Sequence, residues 1–157
     1  MDLLLWRHAE AEELADIGSA GASDLERALT PRGDKQAARV AAWLDRQLPD
    51  GTRIMVSPAR RCEQTALALG RKHRIRPELA PGASAAQLLE LVQWPLAKNP
   101  VLVIGHQPTL GQVISQLLGL QDADCPVKKG AVWWLRTRER DGPLKAVVVA
   151  VQSPDVL

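Results

Sequence analysis

Leu3, Leu4, Leu5 and Trp6 run without a polar interruption straight into Arg7-His8. Such a run reads as a short strand of a parallel sheet covered on both faces, because a strand with one wet face alternates apolar and polar positions. Its end constrains the fold further. A guanidinium buried without a partner is prohibitively costly, so Arg7 and His8 cannot both be core residues. Either the strand opens there into a site, or the two residues form a solvated pair at a strand end. These residues alone fit both.

A parallel strand needs crossover helices and apolar cover on each side. The chain, with 157 residues of which 46% are hydrophobic and 24% charged, is long enough to supply them as one domain over residues 1–157. A net charge of +2 gives no reason to expect a polyanionic partner, so neither nucleic acid nor a membrane surface is expected. No apolar run approaches the roughly 20 residues of a spanning helix. Asp2 and the four apolar residues before Arg7 do not make a secretion signal. Cys62 and Cys125 lack C-x-x-C spacing and are too few for a disulfide framework, so they read as reduced thiols of a cytoplasmic protein. Neither is followed six positions later by an arginine, which excludes the cysteine-based phosphatase loop. Every aromatic residue is a tryptophan, a bias with no functional reading.

Further along, residues 11–29 are small and acidic without a period, as in a loop beside the strand end with at most a short helical turn. Thr30-Pro31 then opens a helix, threonine as N-cap and proline at the first position. Ala37, Val40, Ala41, Leu44 and Leu48 form its apolar face, and Pro49-Asp50-Gly51 stops it. Arg53–Ser57 reads as a second strand. Ser57-Pro58 predicts a passage into helix with almost no loop, proline presetting the first turn. Ala59, Cys62, Ala66 and Leu69 give that helix a buried stripe, with Arg60, Arg61 and Gln64 in its first two turns and His73 in its tail. Pro77–Gly82 is a brief extended or turning segment, and Leu88–Val92 suggests a third helix ending before Pro95.

Val101–Gly105 is the strongest buried strand and ends in His106-Gln107-Pro108. Leu110, Val113, Ile114, Leu117 and Leu118 follow with helical spacing. Ala131–Thr137 and Lys145–Val151 are joined through Asp141-Gly142 as an edge hairpin, and Arg136, Arg138 and Arg140 beside its turn read as a solvated edge. The expected fold is therefore α/β: a three-layer α/β/α sandwich with a mainly parallel central sheet and a C-terminal antiparallel edge hairpin.

In an open parallel sheet the carboxyl ends of the strands share one edge, and ligands bind in the crevice there. That edge would gather Arg7-His8, Ser57 with Arg61 just beyond it, and His106, together with two helix amino termini. Helix amino termini attract anions, and arginine forks grip phosphoryl oxygens bidentately. A histidine among so many cations resists protonation and keeps a nucleophilic nitrogen. These parts suit phosphoryl transfer through a phosphohistidine.

Arg7-His8-Ala9-Glu10, Leu29-Thr30-Pro31-Arg32-Gly33, Ser57-Pro58-Ala59-Arg60-Arg61-Cys62-Glu63-Gln64-Thr65 and Gly105-His106 together resemble the histidine phosphatase (phosphoglycerate mutase-like) superfamily. The short chain and the second-strand motif are most similar to its SixA branch, the phosphohistidine phosphatases. The resemblance implies that His8 is the nucleophile and that Arg7, Arg61 and His106 hold the phosphoryl oxygens, with Arg61 rather than Arg60 matching the family spacing. Ala9 stands where many members have glycine.

Related mutases and acid phosphatases carry a general-acid carboxylate just after the segment matching Glu78-Leu79, where this chain has Ala80-Pro81-Gly82. An alkoxide leaving group needs that proton, a contribution of roughly 10²–10⁴-fold, whereas a phosphohistidine can leave as neutral imidazole once its ring is protonated from solvent. The missing acid favours a P–N substrate, with Glu10 and Glu78 as the carboxylates that could still supply it. The implied cycle is in-line attack by His8, a phospho-His8 intermediate stabilised by the cationic cluster, and hydrolysis by water, without metal or cofactor.

Three other readings are open. His8, His106 and Glu10 could ligate zinc, although arginines would repel the ion. A phosphatase for small phosphate esters would use Glu10 or Glu78 as acid. A non-catalytic module that docks phosphorylated histidines would keep the anion pocket and form no phosphoenzyme. Ser57 lacks the G-x-S-x-G turn of a serine nucleophile and reads as an N-cap or part of the phosphate pocket. With no large insertion the crevice should be open, admitting a phosphohistidine borne by a protein such as a phosphorelay domain. The chain is expected to act as a monomer.

Overall fold

The structure, a computed structural model, describes residues 1–17, 23–138 and 145–157. In chain order its elements are β1 (Asp2–Arg7), α1 (Leu14–Ile17), α2 (Pro31–Gln47), β2 (Arg53–Val56), α3 (Arg60–Leu67), β3 (Arg74–Ile75), α4 (Ala85–Leu91), β4 (Val101–Gly105), α5 (Thr109–Leu118), β5 (Val132–Thr137) and β6 (Ala146–Gln152). Single 3₁₀ turns lie at Asp24–Glu26 and Pro77–Leu79. The six strands form one sheet in the order β3-β2-β4-β1-β5-β6. The first four of these run parallel, β5 is antiparallel to β1, and β6 is antiparallel to β5.

Uninterrupted apolar strands are explained by cover on both faces. Leu4, Trp6, Leu102 and Ile104 face Val40, Ala41 and Leu44 of α2 and Cys62 and Ala66 of α3. The alternate residues Leu3, Leu5, Val101 and Val103 face Leu88 of α4 and Leu110, Val113 and Ile114 of α5. Both parities of each strand are therefore out of water, and the architecture is the α/β/α sandwich that the pattern predicts. Arg7 pairs with Gly105, and Val56 with Ile104. The ends of β1, β2 and β4 thus lie together on one edge.

Helix α2 is set against that edge. The Thr30 hydroxyl caps it by accepting the Gly33 N–H at 2.9 Å. Gly33 itself lies so close to the chain leaving β1 that an added methyl would collide with the Glu10 carbonyl oxygen, a backbone atom with no freedom to swing aside. Gly33→Ala is expected to lower stability by about 1–3 kcal/mol, the usual cost of overpacking, read as a reduced midpoint in denaturant unfolding. An unchanged midpoint would mean that α2 can slide outward freely.

Two local expectations fail, and two further features carry no signal in the sequence. The helix after Ser57-Pro58 starts at Arg60 with Ala59 as N-cap, so the proline shapes the connection and not the first helical turn. That helix ends at Leu67, and Gly70, at φ +70°, turns the chain into β3. His73 accordingly precedes a strand and is not in a helix tail. β3 itself carries no strand-like sequence pattern, being two exposed residues at the sheet margin. The β5–β6 pairing shifts register between Trp134 and Leu135, while the expected Asp141-Gly142 turn, with Arg140, lies outside the described residues. No helix among the described residues is long and apolar enough to cross a membrane.

Candidate active site

The end of β1 is held by backbone bonds on both sides. The His8 N–H donates to the Gly105 carbonyl at 3.2 Å, and the His8 carbonyl accepts the Gly130 N–H at 3.0 Å. Trp6 Nε1 donates to the Gly130 carbonyl at 3.0 Å, which ties the 127–131 segment over the strand end. Arg7 Nη1 donates to the Val127 carbonyl at 2.8 Å, and its buried Nε has no partner among the described residues. The chain beyond His8 is fixed by Thr65, whose hydroxyl accepts the Ala9 N–H at 3.1 Å and donates to the Arg61 carbonyl at 2.8 Å. The Ala9 methyl is buried in a small cluster with Ala11, Leu29 and Ala37.

The two ring nitrogens of His8 are held differently, Nδ1 by the Ala9 carbonyl and Nε2 as acceptor from Arg61 Nε. Nδ1 lies 2.8 Å from the Ala9 carbonyl oxygen. That oxygen can only accept, so the ring proton sits on Nδ1 and Nε2 keeps its lone pair. Arg61 Nε approaches Nε2 at 3.4 Å. Burial is the largest cause holding the His8 pKa down at about 4, with Arg61, Arg7 and Arg27 adding to it and the Ala9 carbonyl opposing. Cationic neighbours, the expected cause, come second to desolvation.

His106 stands across the crevice, its ring centroid 5.3 Å from that of His8. Arg61 Nη2 lies 3.4 Å from His106 Nδ1. Since a guanidinium only donates, the His106 proton sits on Nε2 and points at Ser57 Oγ, 2.7 Å away. Burial, then Arg61 and His8, lower the His106 pKa to about 3. Ser57 is fully buried behind His106, with its oxygen also accepting the Ala59 N–H at 3.2 Å. It is placed to orient that ring and does not face the crevice. Cys62 packs at the same nitrogen, and burial pushes its thiol up to about 12, where it is inert as a nucleophile.

Of the adjacent arginines, Arg61 is buried in the crevice and Arg60 is exposed. One partner of Arg61 carries no motif in the sequence. Nη1 donates to the Asp24 carbonyl at 2.7 Å and Nη2 to the Asp24 carboxylate at 3.0 Å. Arg27 binds the other carboxylate oxygen at 3.0 Å. Asp24 lies in an aperiodic segment that carries no motif, and Thr65 lies within the second-strand motif, which by itself assigns it no task.

Neither candidate acid lies free. Glu10 accepts from the Thr30 hydroxyl at 2.7 Å and lies 3.9 Å from Arg32. Its carboxylate is therefore engaged at the start of α2, not grouped with the two imidazoles as a zinc ligand set. Glu78 is exposed and paired with Arg76 at 2.6 Å, which holds its carboxyl below the usual range and makes it a poor proton donor at neutral pH.

The two depressed imidazoles set a pH dependence of stability. In the unfolded chain both titrate near 6.5; folded, they stay neutral down to about 4 and about 3. Between those values the unfolded state binds protons that the folded state excludes, so stability falls as pH drops from about 6.5 towards 4. Each proton steepens the slope by up to about 1.4 kcal/mol per pH unit. His8→Asn is expected to make it shallower by up to one proton's worth in unfolding titrations across this range. An unaltered slope would show that His8 titrates normally when folded.

The sequence profile of the histidine phosphatase superfamily (branch 1) matches residues 3–88. The chain is 34% identical over 127 residues to the phosphohistidine phosphatase SixA of Escherichia coli, covering 74% of each chain. It is 31% identical over 135 residues to the SixA homolog of Haemophilus influenzae, covering 76% of this chain and 78% of the other. Among solved structures, the protein histidine phosphatase SixA complexed with tungstate superposes with a TM-score of 0.75 at 27% identity, covering 99% of both chains.

Proposed function

Because this chain belongs to the histidine phosphatase superfamily, we propose that it removes phosphoryl groups from phosphohistidine carried on a protein, with His8 as the nucleophile. The observation that carries this reading is the unprotonated Nε2 of His8, met only by a long 3.4 Å hydrogen bond from Arg61 Nε, with its other nitrogen committed to the Ala9 carbonyl. The relatives named phosphohistidine phosphatases support the choice of substrate.

The geometry suggests how the residues work. Nε2 attacks phosphorus in line; the new N–P bond forms as the substrate's N–P bond breaks, and the departing ring leaves as neutral imidazole after protonation of its second nitrogen from solvent. Phosphorylation makes the His8 ring cationic, and the Ala9 carbonyl stabilises that charge through Nδ1–H. Arg7 and Arg61 hold the phosphoryl oxygens. The incoming dianion raises the depressed His106 pKa, so that His106 takes a proton and donates from Nδ1, while Ser57 keeps its ring in place. Water then hydrolyses phospho-His8. The engaged states of Glu10 and Glu78 support a substrate whose leaving group needs no enzymic acid. No step calls for a metal or cofactor, and the substrate we favour is a cytoplasmic phosphorelay-type domain bound by a monomer of this chain.

The discriminating experiment compares a phosphohistidine peptide with a phosphoserine peptide of the same sequence. Turnover of the P–N substrate is expected to be faster by roughly 10²-fold or more, the contribution of an absent general acid. Faster hydrolysis of the ester, with an acidic limb lost in Glu10→Gln or Glu78→Gln, would make it a phosphomonoesterase instead. Tight binding without turnover of either peptide would make it a docking module.

A further inference from the structure

Two side chains from different helices hold the chain just beyond His8, and they act on different peptide units. Thr65, from α3, accepts the Ala9 N–H at 3.1 Å. That N–H belongs to the His8–Ala9 peptide, whose carbonyl accepts from Gly130 and not from the imidazole. Gln36, from α2, accepts the Glu10 N–H through Oε1 at 2.9 Å. A backbone N–H only donates, so the amide oxygen of Gln36, and not its nitrogen, faces Glu10. The Glu10 N–H shares one planar peptide with the Ala9 carbonyl, and that carbonyl accepts the His8 Nδ1 proton at 2.8 Å.

A continuous line of hydrogen bonds therefore runs from Gln36 through the Ala9–Glu10 peptide to the ring. Resonance lets a peptide transmit polarisation: an acceptor at its N–H end shifts electron density onto its oxygen. Successive bonds in such a chain strengthen one another by roughly 10–30%. The recipient oxygen matters to the chemistry. Burial opposes a charged His8 ring, and Arg61, Arg7 and Arg27 add to that opposition, while the Ala9 carbonyl favours the charge. His106, facing it at 5.3 Å between ring centroids, is itself neutral at neutral pH. Attack on phosphorus makes the His8 ring cationic, so a more negative Ala9 oxygen helps most once the N–P bond has formed.

The placement of Gln36 is built into the start of α2. The Thr30 N–H donates to the Glu10 carbonyl at 3.0 Å, and Gly33 has no side chain where the helix crosses that carbonyl. Gln36 follows Gly33 by three residues, on the same side of the helix, and is half-buried. Its bond to Glu10 spans 26 positions of chain.

We propose that Gln36 is a positioning residue for His8: through the Ala9–Glu10 peptide it holds the ring proton on Nδ1 and stabilises the phosphorylated ring. This rests on the phosphohistidine reading above, with His8 as nucleophile. A purely structural Gln36 would satisfy one backbone N–H, contribute to stability, and leave the ring unaffected.

The test compares Gln36→Met and Gln36→Glu in the full chain. Methionine keeps the length and helix propensity of glutamine but loses its strong acceptor; glutamate keeps the acceptor. In isotopically labelled protein at neutral pH, the His8 Nδ1–H proton resonance is expected to move upfield in Gln36→Met, as a weakened hydrogen bond requires. In Gln36→Glu it should stay at, or downfield of, the parent position. With a labelled phosphohistidine peptide, Gln36→Met should lower kcat/KM about tenfold, the lower end of what outer partners of metal-bound histidines contribute, and should lower the steady-state phosphoenzyme. Gln36→Glu should keep kcat/KM within about threefold of the parent, since the bond it makes is retained. Competitive inhibition by inorganic phosphate, which the arginines hold, should change by less than about twofold in Gln36→Met. An unmoved Nδ1–H resonance in Gln36→Met, or equal losses of kcat/KM in the two variants, overturns the proposal and leaves the nucleophile assignment standing. So does a loss of phosphate affinity as large as the loss of kcat/KM, which would mean a shifted pocket. If Gln36→Met does not fold, Gln36→Glu decides: an Nδ1–H resonance upfield of the parent overturns the proposal. A parent that forms no phosphoenzyme on His8 sinks the underlying reading, and the role of Gln36 with it.

Discussion

His8→Ala is expected to abolish the phosphoenzyme and to reduce turnover of a phosphohistidine protein by at least about 10³-fold, the scale on which loss of a nucleophile acts. With radiolabelled substrate, the parent should yield a protein-bound phosphate that is labile in acid and stable in base, as a phosphoramidate is. The variant should yield none. The folded frame should survive, because the bonds that fix this position are backbone ones, to Gly105 and Gly130, and need no imidazole. Loss of label therefore reports chemistry and not unfolding, which a retained denaturation midpoint at neutral pH would verify. A persistent adduct of the same stability in His8→Ala would move the nucleophile elsewhere, with His106 the nearest alternative at 5.3 Å between ring centroids.

Arg61→Met should be nearly as damaging, lowering kcat/KM by about 10²–10³-fold, as removal of a preorganised charge-stabilising donor does in other sites. Methionine keeps much of the aliphatic stem and removes a charge that touches both imidazoles. A second effect follows from the same contact. Arg61 helps to hold the His8 pKa down, so its removal should move the acidic limb of the pH–rate profile upward.

Asp24 provides the opposite case. Its carboxylate engages Arg61 Nη2, the group that on the proposed mechanism holds a phosphoryl oxygen. Asp24→Asn should therefore tighten inhibition by vanadate severalfold, while the backbone carbonyl still holds Nη1. If Asp24→Asn weakens vanadate as much as Arg61→Met does, the carboxylate positions the guanidinium and does not compete with the anion.

Much of this site was legible in one dimension because its framework depends on local chemistry. The polar break after Trp6, the Thr30 cap and the Gly105-His106 step each declare a strand end or helix start within a few residues. A parallel sheet then brings such ends to one edge without further instruction. Arg61 is buried and Arg60 exposed; in the sequence only family spacing favours Arg61, since helical position by itself does not separate two neighbours.

Other features depended on contacts that no local pattern encodes. Asp24 reaches Arg61 across 37 positions, and β3 is a strand only because β2 offers its edge at Met55 and Val56.

The amino-acid sequence by itself determined the alternation of buried strands and capped helices, and hence which residues would meet at the carboxyl edge of the sheet. Hydrophobic period and turn chemistry operate over one or two helical turns, and this chain obeys them nearly throughout. Only the tertiary structure decided which nitrogen of His8 is left unprotonated, that Ser57 stands behind His106, and that Asp24 occupies the guanidinium fork. Those outcomes rest on desolvation and on hydrogen-bond direction between distant segments, which exist only once the chain has closed around them.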